Sequence, residues 1–134
     1  MPSIFTRIID GELPGRFVWR DDVCAAFMDV RPLNRGHVLV VPRVEVDHWV
    51  DLDSGTVAHL MGVAHRVAEA QQATGLAPDR VGLMIAGFEV PHVHVHVVPI
   101  STMAHLDFSH ADTSPDPDDL DTVTALLQAE LCAG

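Results

Sequence analysis

With 134 residues, 48% of them hydrophobic, and a mean hydropathy of +0.21, the chain has enough apolar side chains for one folded domain and too little length for a second. Its formal charge of −11 comes from 19 acids against eight arginines and no lysine, a field that disfavours nucleic acid and anionic membranes as partners. No apolar run reaches the ~20 residues of a bilayer span, and Arg7 interrupts the stretch where a signal peptide needs an apolar core, so the expectation is a soluble cytoplasmic protein.

The first elements legible in the chain are short Val- and Phe-rich stretches: Phe17 to Arg20, Val23 to Val30 and Gly36 to Val41. They read as strands, separated by Asp21-Asp22 and by residues 31–35. From Ser54 to Thr74, Val57, Leu60, Met61, Ala64, Val67 and Ala68 recur at three-and-four spacing, which predicts a helix that Gly75 stops. Val81 to Ala86 and His92 to Val98 read as two more strands, joined by Gly87-Phe88-Glu89-Val90-Pro91. Residues 107–121 hold six aspartates and no arginine, and Thr102 to Pro115 reads as an irregular acidic loop. Asp116 then caps a last helix with Pro117 at its first position and Leu120, Val123, Leu127 and Leu131 as its apolar stripe. Residues 1–106 read as one continuous unit, and 107–134 as an acidic loop and helix belonging to the same globule. Strands clustered in sequence beside two helices predict an α+β fold with an antiparallel sheet. One exposed edge of that sheet asks for a partner.

The two cysteines, Cys24 and Cys132, make neither a disulfide framework nor a C-x-x-C pair. Histidine is the unusual residue, nine in all, with His92, His94 and His96 alternating with valines. A strand with that alternation places three imidazoles on one face. Such a face suits a metal, with His37, His48 or a carboxylate completing the set, in a metal-binding protein or metallohydrolase. It also suits nucleophilic attack at phosphorus, because a neutral imidazole is a nucleophile near pH 7 and its neighbours can manage charge. Ala86-Gly87, just upstream, offers backbone N–H groups to an anion.

These residues resemble the histidine triad (HIT) superfamily of nucleotide hydrolases and transferases, whose signature is H-x-H-x-H followed by two apolar residues. The resemblance extends to Ala26-Phe27-Met28-Asp29-Val30, Pro32 and Gly36 to Pro42, and to the N-terminal block from Ser3 to Pro14, covering residues 3 to about 100. It implies a HIT-like fold: a five-stranded antiparallel sheet with a long helix and a C-terminal helix, the sheet extended across a homodimer. It also implies a small nucleotide as substrate, a nucleoside phosphoramidate or a related compound, and no cofactor. By the same resemblance His94 is the nucleophile that forms a nucleotidyl-histidine, and the carbonyl of His92 fixes its tautomer. His96 and His37 attend the α-phosphate and leaving group, and Asp29 holds the ribose hydroxyls. Ile4, Phe5, Phe27, Val30 and Leu39 line the base pocket, and Gly87, Glu89 and Val90 border the nucleotide.

Two departures stand out. Phe88 and Glu89 occupy positions where the family carries phosphate donors, which leaves a catalytically weak nucleotide-binding module as an alternative. Ser3 and Thr6 stand where some relatives place two zinc-binding cysteines beside the equivalents of His48 and His92, so no zinc is expected.

Overall fold

The Val-rich runs pair into one sheet in the computed structural model, which describes residues 2–133. Its strands are β1 (Phe17–Arg20), β2 (Cys24–Met28), β3 (Val38–Pro42), β4 (Arg80–Ile85) and β5 (Val95–Ile100), in the order β1-β2-β3-β5-β4 and antiparallel throughout. Three α-helices accompany them: α1 (Ile4–Ile9), α2 (Ser54–Ala73) and α3 (Pro117–Ala133). The α+β architecture with five antiparallel strands, a long helix and a C-terminal helix is the one expected.

Strands β2 and β3 are buried at every position, and β5 at all but its last. A sheet covered on both faces produces continuous apolar runs rather than alternation. One face, through Cys24, Ala26, Met28, Val38, Val40, Val95 and Val97, packs on Leu60, Val63, Ala64 and Val67 of α2 and Val123, Leu127 and Leu131 of α3. The other face, through Ala25, Phe27, Leu39 and Val41, packs on Phe5 and Ile9 of α1. Leu39 pairs with His96 in the β3–β5 register, so His96 shares the α1 face. No helix among the described residues is long and apolar enough to cross a membrane.

Local chemistry explains the helix limits. Asp53 caps α2 by accepting from the Thr56 N–H at 2.7 Å, and Gly75 leaves the helix at φ +81°. Asp116 accepts from the Asp118 N–H at 3.0 Å at the start of α3. The acidic stretch after β5 forms two 3-10 turns, Met103–Leu106 and Phe108–His110. Two features differ from the sequence reading. Helix α1 was not expected, because six residues, three of them isoleucine, carry little helical periodicity. It exists because Ser3 caps it at Thr6 N–H and Phe5 and Ile9 are buried against the sheet. Strand β5 begins at Val95 rather than His92, since the His92 N–H bonds the Val90 carbonyl in a turn and the Val93 N–H bonds Val46.

The β1–β2 turn is held by one carboxylate. Asp21 Oδ1 accepts from the N–H groups of Val23 and Cys24 at 2.8 Å each, and Oδ2 accepts from Trp19 Nε1 and from His59 Nε2 of α2 at 2.7 Å. Burial works to raise the Asp21 carboxyl, but these donors outweigh it and hold it well below the usual carboxylate range. Replacing Asp21 by alanine is expected to lower stability by roughly 1.5–3 kcal/mol, the scale of hydrogen bonds to a charged group. Urea unfolding of both proteins at pH 7 checks this, and unchanged midpoints would show the turn does not need the carboxylate.

Candidate active site

The turn that shortens β5 also keeps His92 out of the cleft that His94 and His96 line. His92 packs on Phe5 as His94 does, its centroid 5.9 Å from that ring, but both of its nitrogens are taken: its Nε2–H donates to the Pro42 carbonyl at 2.7 Å, leaving Nδ1 to accept from the Ser3 hydroxyl at 2.6 Å. Its backbone carbonyl meanwhile accepts from His94 Nδ1–H at 2.7 Å. With Nδ1 carrying the proton, a neutral His94 has its lone pair on Nε2. The His94 ring stands edge-on to Phe5 and to His96, centroids 4.9 Å away in each case.

A second run of hydrogen bonds sets the tautomer of His96. The Leu33 N–H donates to His37 Nδ1 at 3.0 Å, so the His37 proton lies on Nε2, 3.0 Å from His96 Nδ1. His96 therefore accepts at Nδ1 and presents Nε2–H, a buried group with no hydrogen-bond partner. Burial, reinforced by the neighbouring rings, lowers His37 to about 3 and His96 to about 4, so both are neutral imidazoles at physiological pH. Burial lowers His92 as well. Asp29 Oδ2 lies 3.6 Å from His37 Nε2, and Oδ1 accepts from the Arg31 N–H at 2.8 Å. Burial raises its carboxyl above the ordinary value.

His94 and His96 open onto a cleft of about 540 Å³ between α1, the sheet and the start of α3. That size suits a small organic ligand. Ten of the residues named from the sequence line it: Ile4, Phe5, Phe27, Asp29, Val30, Leu39, Glu89, Val90, His94 and His96. His37 stands behind His96, His92 behind His94, and Gly87 lies outside the lining, its φ of +106° serving the turn of the connection. Phe88 is fully exposed and outside the cleft. The sequence reading missed Ile8, Pro14, Gly15, Arg16, Met28, Arg31 and Asp121. Ile8 follows Ile4 by one helical turn, a signal available only once α1 is recognised. Asp121, paired with Arg16 at 2.8 Å, arrives from α3 through tertiary packing alone.

Chemically, the arrangement offers one nucleophilic nitrogen and, beside it, one N–H donor with no protein partner. A metal reading based on three imidazoles of one face loses a ligand, because both ring nitrogens of His92 are already engaged. The N-terminal positions do not fit zinc either. Ser3 and Thr6 supply hydroxyls, Ser3 Oγ is bonded to His92, and Thr6 Oγ1 donates to Glu45 at 2.7 Å. His48 is exposed at the head of a 3-10 turn.

Comparison with known proteins agrees with this geometry. Residues 10–103 match the HIT domain family. An uncharacterized HIT-like protein of Mycobacterium tuberculosis is 38% identical over 104 residues, covering 74% of this chain and 72% of that protein. The purine nucleoside phosphoramidase of Escherichia coli K12 is 30% identical over 104 residues, covering 72% of this chain and 85% of the enzyme. Among solved structures, a Zn-bound histidine triad family protein from Mycobacterium smegmatis superposes with a TM-score of 0.81 at 31% identity, over 97% of this chain and 93% of the other.

Proposed function

The chain belongs to the HIT domain family, and from that premise we propose that it is a nucleotide hydrolase or nucleotidyl transferase working through a covalent nucleotidyl-histidine on His94. The substrate is a small nucleotide with a good leaving group on its α-phosphorus, and the relationship to the Escherichia coli enzyme favours a purine nucleoside phosphoramidate. The observation that carries this reading is the 2.7 Å bond from His94 Nδ1–H to the His92 carbonyl, which leaves the Nε2 lone pair for the cleft.

In the first step Nε2 forms a bond to phosphorus while the P–N bond of the phosphoramidate breaks, and the amine leaves with one proton taken from water in the open cleft. In the second, water forms a P–O bond and gives a proton back to solvent while the P–Nε2 bond breaks, releasing the nucleoside monophosphate and restoring His94. His96 Nε2–H, buried and unpartnered, donates to a phosphoryl oxygen whose charge grows in each transition state. His37 keeps that donor aimed through its own bond to His96 Nδ1. Asp29 accepts from the ribose hydroxyls, and Ile4, Phe5, Phe27 and Leu39 enclose the base.

Intact-mass spectrometry of protein quenched during turnover of adenosine phosphoramidate tests the reading. One added adenylyl group, mapped to His94, is the expected result. Turnover without an adduct, and lost on chelation, would favour the metallohydrolase instead. The active form is proposed to be a cytoplasmic homodimer joined along the outer edge of β4. Light scattering is expected to show twice the 14.6 kDa of the chain, and a monomer mass would contradict it.

A further inference from the structure

Glu89 has no role in the reading above, yet it lies closer to His94 and His96 than any other carboxylate named in the cleft. Its Oε1 is 3.4 Å from His94 Nε2 and 3.8 Å from His96 Nε2. The distance to the nucleophile falls within the roughly 3–3.5 Å that reacting atoms occupy before attack. The carboxylate therefore stands where a phosphoryl group must come to stand. Two anionic groups cannot share that place, so a nucleotide has to displace it.

The displaced group cannot go far. Glu89 belongs to the connection between Gly87 and Pro91, whose next residue, Val90, also lines the cleft. Its side chain is 37% exposed, so it has room to rotate toward solvent while staying at the cleft wall. Burial works to raise its carboxyl, but its own backbone N–H and the contact with His94 outweigh burial and hold it below the ordinary value, so it keeps its charge at neutral pH. Its charged neighbours do not neutralise it. Asp29 and Asp121 are further carboxylates of the lining, Arg16 is already paired with Asp121 at 2.8 Å, and Arg31, the remaining cation of the lining, acts on Asp29, whose carboxyl it works to lower, and not on Glu89.

We propose that Glu89 is a specificity-determining residue that selects the charge of the α-phosphoryl group, admitting one negative charge and disfavouring two. This rests on the nucleotide reading and deepens it. A phosphoramidate or phosphodiester carries a single charge at that phosphorus. The nucleoside monophosphate released by hydrolysis carries two above the second phosphate pKa of about 6. The same carboxylate that tolerates the substrate then expels the product.

The test is calorimetric binding of adenosine 5′-monophosphate and its phosphate O-methyl ester at pH 8, with wild-type protein, Glu89→Gln and Glu89→Ser. Wild type is expected to bind the ester about tenfold more tightly than the dianion, a ratio set by one added like charge at a partly buried site. Both variants are expected to abolish that preference by binding the monophosphate more tightly. Equal affinity for the two ligands in wild type, or a variant that shifts both by the same factor, overturns the proposal. If wild type binds neither, the nucleotide reading falls and the charge selection falls with it. Equal wild-type affinities overturn the proposal without any variant, and Glu89→Gln and Glu89→Ser give two independent chances of a folded protein that assigns the preference to this residue rather than to Asp29 or Asp121.

Discussion

Replacing His94 by alanine is expected to reduce phosphoramidate turnover by about a thousandfold or more, with kcat carrying the loss and KM changing little. A covalent route needs a nucleophile within reach of phosphorus, and no other ring nitrogen near the cleft is free for it. His96 presents a proton at Nε2, His37 is enclosed behind it, and both nitrogens of His92 are bonded. Removing a group that acts only in the chemical step leaves ground-state binding to the apolar cleft and Asp29 largely intact.

The effect on stability is less simple than an open-cleft histidine would suggest. His94 is only 2% exposed, and its ring packs on Phe5 and bonds the His92 carbonyl. The alanine variant is therefore expected to lose roughly 1–3 kcal/mol of stability. Steady-state kinetics, thermal melts and nucleotide titration on wild type and His94→Ala separate the two effects. Retention of more than a small fraction of the wild-type rate by a folded His94→Ala would refute the nucleophile assignment.

Acidification from pH 7 to pH 4 is expected to destabilise the protein by on the order of 3 kcal/mol or more. Burial holds His37 near 3 and His96 near 4 in the folded chain, against 6.5 for an ordinary imidazole. Below pH 6.5 the unfolded chain therefore takes up protons that the folded chain refuses. Each such histidine costs up to about 1.4 kcal/mol per pH unit until its folded value is reached. His92 acts in the same direction. Asp21, held low, adds a loss that begins only as pH falls through the ordinary carboxylate range. Asp29, raised by burial, opposes the trend, but it is a single carboxyl against two strongly shifted imidazoles.

Urea unfolding at half-unit steps of pH measures the slope. His37→Gln is expected to be less stable than wild type at pH 7.5 yet to show a shallower slope toward pH 4. A wild-type midpoint independent of pH between 6.5 and 4.5 would mean that the His37–His96 pair is not held neutral by the fold.

Much of the architecture was legible because it is local. Three-and-four spacing from Val57 to Ala68 is a property of one helix, and the Val-rich runs 36–41 and 92–98 needed no knowledge of their partners to be placed near β3 and β5. The histidine alternation likewise marked the chemistry, and ten of the residues named from the sequence do line the cleft. What the chain order could not reveal is where the alternation stops. A strand beginning at His92 would open three rings onto one cleft; the turn closed by His92 N–H and the Val90 carbonyl ties both nitrogens of the His92 ring to Ser3 and Pro42 instead, while its carbonyl orients His94. The tautomer of His96 depends on His37, 59 positions away, and on one N–H of the turn at Leu33. Helix α1 and Asp121 were hidden for the same reason, whereas the place of Glu89 beside the phosphate was expected and only its distance from His94 was not. Periodicity is written within a segment, whereas proton positions and the walls of a cleft are decided by which segments meet, and that depends on long-range packing.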